Sequence, residues 1–213
     1  MKFFLAASLF FFTIFMTACG NNDSPETATK EIQSALNQRD FEKFSARVDV
    51  EKLFAQIYQD ATVELAANCE EFGKKYPKDP YFQHDGAFIK NYNEEHRELH
   101  LDFARKSMEA YFAKVPPSEN PHENPYAYVA HEFERLHNVS TAQIDDVQIK
   151  NNSATVTVDV QGDSTLRGMF VGSLKFKLGF EKINDKWKLT KIENIDELTA
   201  PIVDRAELIW INL

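Results

Sequence analysis

The chain has 213 residues, with 24 Lys or Arg against 33 Asp or Glu and a formal charge of −9. That length supports one domain with a substantial core, or two small ones. The acidic balance argues against nucleic acid as a partner and against adsorption of the body itself to anionic lipid.

In chain order, the first segment is a leader. Lys2 supplies one positive charge, Phe3 to Phe15 is an almost unbroken apolar run, and Met16-Thr17-Ala18 leads into Cys19. A charged start, a short apolar stretch and a small-residue exit describe a secretory signal. A membrane-spanning helix needs about 20 apolar residues; this run is shorter, and polar Asn21-Asn22-Asp23-Ser24-Pro25 follows directly. An ordinary cleaved signal wants small residues at its last and third-last positions, where Ala18 fits and Met16 does not.

A cysteine directly after the exit resembles the lipobox of bacterial lipoproteins, with Met16 standing where leucine is usual. The resemblance implies cleavage after residue 18 and acyl chains on Cys19, which becomes the new N-terminus. Each buried CH₂ adds about 0.8 kcal/mol of membrane affinity, so one chain is marginal and two or three hold firmly. The implied location is the cell envelope. With two membranes, Gly20 offers no retention aspartate and the outer membrane, on its periplasmic face, is favoured; with one, the anchor sits on the outer face of the cytoplasmic membrane. A plain secreted protein and a retained helix are the competing readings. Removing residues 1–18 from 213 leaves 195 residues, and the loss of Lys2 takes the charge from −9 to −10. With Cys19 lipidated, Cys69 has no partner and a disulfide framework is excluded.

Residues 19–26 then read as a lipidated tether and 27–213 as a single extracytoplasmic domain. Ile32, Ala35 and Leu36 predict a helix over Ala28 to Gln38. Asp40 caps a short helix bearing Phe41 and Phe44, and Asp49 caps a longer one. Its apolar stripe is Leu53, Phe54, Ile57, Tyr58, Ala61, Leu65, Cys69, Phe72 and Tyr76, which makes Cys69 a small buried core residue. Pro77 and Pro80 stop it. A helix from about Ala87 to Lys114 turns Phe88, Tyr92, Leu99, Phe103, Ala110 and Tyr111 inward. A proline-rich loop follows. Asn124 and Pro125 then start another helix, with Tyr126, Val129, Ala130, Phe133 and Leu136 as its stripe.

After Ser140 the period changes to two. Val147 and Ile149 precede the turn pair Asn151-Asn152; Val156, Val158 and Val160 alternate with polar residues, as do Leu174, Phe176, Leu178 and Phe180. Asn184-Asp185 turns the chain into Trp187 and Leu189. A meander of about four strands with one dry face must be covered, and the helices are the available cover. The expected fold class is α+β: N-terminal helices packed on a C-terminal curved antiparallel sheet. The tail from Asp196, interrupted by Pro201, reads as strand or helix end. Gly168, Gly172 and Gly179 read as permitting curvature in or near strands.

Two segments carry a further resemblance. Ala35-Leu36-Asn37-Gln38-Arg39-Asp40-Phe41-Glu42-Lys43-Phe44 resembles the first inter-helix turn of the NTF2-like superfamily. Ser153 to Val158 and Lys186 to Ile192 resemble its central and last strands. The resemblance implies a cone-shaped fold whose open end holds a small molecule, enzymatic in some members and not in others.

Candidate chemistry centres on Glu94-Glu95-His96-Arg97-Glu98-Leu99-His100. Two histidines four apart face the same way on a helix, but the zinc-protease pattern needs glutamate after the first, and Arg97 stands there. His96 reads instead as a half-buried residue at the core edge. His131-Glu132-Phe133-Glu134-Arg135 fails the same pattern because Arg135 occupies the second histidine's place. Asp159 and Glu181 project from the expected wet face; either would need to stand inside the cone to act as a base. No nucleophile elbow, phosphate loop or dinucleotide fingerprint is present, so no catalytic, cofactor or metal residue is assigned and Cys19 is the single assigned site. The expectation is an envelope lipoprotein whose domain binds an envelope protein or small hydrophobic ligand. A cone-pocket isomerase or hydrolase, and a structural role in envelope assembly, are the alternatives.

Overall fold

The computed structural model describes residues 23–118, 120 and 122–211. The expected leader and Cys19 lie outside them. Helix α1 spans Pro25–Gln38: the Ser24 hydroxyl accepts the Thr27 N–H at 3.0 Å, and Pro25 fills the first helical position. The helix thus begins three residues before Ala28, and the end of the segment read as tether belongs to the folded body. Arg39 in the left-handed region (φ 54°) closes α1. Asp40 and Asp49 cap α2 (Phe41–Arg47) and α3 (Val50–Ala67) as expected.

The long stripe to Tyr76 is two helices. Asn68 donates from Nδ2 to the Glu64 carbonyl (2.9 Å) and ends α3, and α4 runs Cys69–Lys75. Cys69 stands half-buried against the core rather than within it. A 3₁₀ turn, Pro80–Gln83, leads to α5 (Gly86–Phe112), capped by Asp85. The inner face of α5 differs from the expected one. Ile89, Asn93, His100, Leu101, Ser107 and Met108 are buried with Tyr111, whereas Phe88 is 38% and Leu99 62% exposed. α6 (Pro125–Asn138) begins where the Asn124 side chain accepts the Ala127 N–H.

Strands β1 (Ser140–Lys150), β2 (Ser153–Gly162), β3 (Ser173–Ile183) and β4 (Lys186–Ile192) form an antiparallel sheet in sequence order. Positive φ at Asn151, Asn184 and Asp185 makes the tight turns. Two extra residues bend the ladder: Asp145, between the pairs Ile144–Val158 and Asp146–Thr157, and Thr190, between Leu189–Phe180 and Lys191–Gly179. Gly179 therefore does sit at a point of curvature. Gly168 and Gly172 do not sit in strands: a short helix, α7 (Leu166–Val171), contains the first and is closed by the second at φ 63°. Gly162 packs so tightly on α7 that a Cβ there would stand 1.8 Å from the Gly168 carbonyl oxygen.

The ambiguous tail is helix α8, Ile195–Ile211, which continues through Pro201. Leu198, Ile202, Val203 and Ala206 anchor it in the core on either side of that residue. The dry sheet face, including Val156, Val158, Phe176, Leu178, Phe180 and Leu189, is closed over by helices carrying buried Ala28, Ile32, Leu36, Leu53 and Ile57. The fold is α+β with helices leading and sheet following.

Candidate functional site

The fold brings together a buried polar cluster around α5 and a ladder of rings that leads from exposed His84 to buried His100. The cluster joins α3, the 3₁₀ turn and α5. The Asn93 carbonyl can only accept, so the Tyr58 hydroxyl donates to it at 2.6 Å. That uses the one Tyr58 proton, so His100, at 2.9 Å, donates from Nδ1 to the Tyr58 oxygen. The Tyr81 hydroxyl donates to Asn93 Oδ1 (3.0 Å), and Asn93 Nδ2 donates to Thr62 Oγ1 (3.0 Å). Burial pushes the Tyr58 and Tyr81 phenols upward and pulls His100 down to about 4, with the neighbouring His96 adding to the latter. Near neutral pH every member is uncharged. An acid–base catalyst needs a group that exchanges its proton near the working pH, and here the imidazole holds on too weakly and the phenols too strongly. The cluster is a satisfied hydrogen-bond network that fixes α3 against α5.

The ladder starts at His84, just before α5, and continues along the side of that helix at four-residue steps. Ring centroids are 3.8 Å apart for His84–Phe88, 5.9 Å for Phe88–Tyr92, 4.2 Å for Tyr92–His96 and 5.9 Å for His96–His100. Four-residue spacing stacks successive side chains on one helix face. His96 is half-buried, as expected, and its Nδ1–H donates to the Tyr92 carbonyl at 2.8 Å. Phe88 and Leu99 are exposed on this side of α5, with the exposed Glu95 between them four residues before Leu99.

The remaining candidates are separated. His131 lies 3.7 Å from Glu134, which also pairs with Arg39. Arg135 holds Glu132, so this segment is an ion-paired helix face. Asp159 meets Lys175 at 3.3 Å, and Glu181 meets Lys52 at 2.8 Å. Both carboxylates stand on the sheet face away from the hydrocarbon layer, as the alternation predicts. Among the described residues no three His, Cys, Asp or Glu side chains gather as metal ligands, and no helix is long and apolar enough to cross a membrane.

Sequence reasoning missed Tyr58, Thr62, Tyr81 and Asn93. The available signal was the seven-residue spacing of Asn93 and His100, which places two polar side chains on one helix face. No protein-family model matches the chain, and no match was found among curated proteins or among solved structures.

Proposed function

We propose that the chain is a bacterial envelope lipoprotein, anchored by acyl chains at Cys19, whose α+β body binds an envelope partner or small ligand without performing chemistry. The observation that carries this reading is the leader: a charged start, an apolar run too short to span, and Cys19 after a small-residue exit. The start of the body supports it. The Asp23 carboxylate accepts the Trp187 N–H at 3.1 Å and pairs with Arg47 at 2.6 Å, so the fold takes hold of the chain four residues after Cys19. Four residues reach at most about 14 Å, so on this reading the body sits close against the bilayer. The neutral, satisfied hydrogen-bond cluster between α3 and α5 supports binding over acid–base catalysis. Helices leading into a four-strand meander support the NTF2-like resemblance as part of the same proposal. The side of α5 that carries the exposed Phe88 and Leu99 is the contact surface this reading assigns.

Cys19→Ala tests the anchor. The variant is expected to move from the membrane fraction to the soluble fraction of its host; undiminished membrane retention overturns the proposal.

A further inference from the structure

We infer that the outer edge of β1 pairs with the β1 of a second copy of this chain, antiparallel about Gln148, joining two four-stranded sheets into one of eight. This inference is independent of lipid attachment. β1 is a terminal strand, and among the described residues nothing pairs with its outer edge. Such an edge offers a row of backbone donors and acceptors to another strand.

The side chains name the occupant. The pairs Val147–Val156 and Ile149–Ala154 put Val147 and Ile149 on the dry face, where the helix layer stops short: Ile149 is 58% exposed. Asp146, Gln148 and Lys150 alternate onto the other face. Neither Asp146 nor Lys150 has an ion-pair partner among the described residues; Asp146 accepts only a hydrogen bond from Gln148 at 2.8 Å.

A two-fold axis perpendicular to the sheet at Gln148 sets Asp146 opposite Lys150 of the second copy, twice. It also sets Val147 opposite Ile149, twice, so the dry faces become continuous. An axis at Asp146 or at Lys150 would bring like charges together, and axes at Val147 or Ile149 would leave both charges unmatched. Opposite charges across a strand pair stabilise and like charges oppose it, so charge selects this register. The extra residue Asp145 kinks the strand and ends regular pairing beyond residue 146. The contact is therefore a short ladder, weak and concentration-dependent in solution.

The test is thiol cross-linking of the full chain carrying Cys69→Ser, with that parent measuring any background from Cys19. Directly opposed Cα atoms in an antiparallel pair lie about 4.5–5.5 Å apart, within disulfide reach, while diagonal neighbours at about 7–8 Å are not. Gln148→Cys should form a covalent dimer under mild oxidation about tenfold faster than Val147→Cys or Ile149→Cys alone. A mixture of the latter two should cross-link as Gln148→Cys does. Adding Asp146→Lys or Lys150→Asp singly should abolish the Gln148→Cys product, and the double exchange should restore it, which also shows that these surfaces still fold. Equal cross-linking at all three positions, or no recovery in the double exchange, overturns the inference.

Discussion

On the β4 side of the sheet, the backbone edge is satisfied by groups from elsewhere. The Asp49 N–H donates to the Leu189 carbonyl (2.9 Å), and Val48 bridges to the same residue. The Gln56 amide reads the Ile192 backbone like another strand, accepting its N–H at 2.9 Å and donating to its carbonyl at 3.0 Å. Asn194 repeats the device on β3, accepting from the Lys177 N–H and donating to the Lys175 carbonyl. On the β1 side, nothing among the described residues closes the backbone edge. One edge is built into the core; the other is left for water or for another chain. The difference follows from topology, because the α2–α3 junction and α3 itself lie along the β4 edge.

Four measurements test that contrast. Leu189→Ala, at a buried position on the closed edge, should cost about 2–5 kcal/mol in urea unfolding. Acid should also act through the buttress of that edge, because α3 is held to α5 by Tyr58 and His100. Burial keeps His100 neutral in the folded chain down to about pH 4, whereas the unfolded chain takes up the proton near pH 6.5. Stability should be full above pH 6.5 and fall as pH drops toward 4, by up to about 3 kcal/mol from this group. His100→Phe should flatten that part of the profile; an unchanged slope would show that other groups carry it. Gln56→Leu takes the side-chain partner from both the N–H and the C=O of Ile192 and should cost about 1–3 kcal/mol. Ile149→Thr, on the open edge, should change monomer stability by less than about 0.5 kcal/mol. Equal costs for Gln56→Leu and Ile149→Thr would erase the contrast.

What the sequence disclosed depended on how local the cause was. Asp40, Asp49 and Asn124 act on backbone three residues away, and each helix start they predict is present. Alternating valines and the turns at Asn151 and Asn184-Asp185 are local too. The inner face of α5 was not legible because hydropathy counts Asn93 and His100 as surface, while their partners Tyr58, Thr62 and Tyr81 arrive from other elements. Phe88 and Tyr92 gave an equally good stripe one residue away, and it became the ring ladder. α7 is too short for periodicity to report, and its glycines read as strand glycines. Pro201 read as a break because the burial that carries α8 past it belongs to the tertiary fold. The Asn68 break between α3 and α4 is likewise invisible to a stripe that stays in phase across it.

The central functional claim rests on Cys19, and the intact mass of the protein extracted from its host's membranes tests it most directly. The expected mass equals residues 19–213 plus covalently bound acyl lipid, with no lipid on the Cys19→Ala variant. A mass that retains residues 1–18, or one that begins at or after residue 19 without lipid, would contradict it.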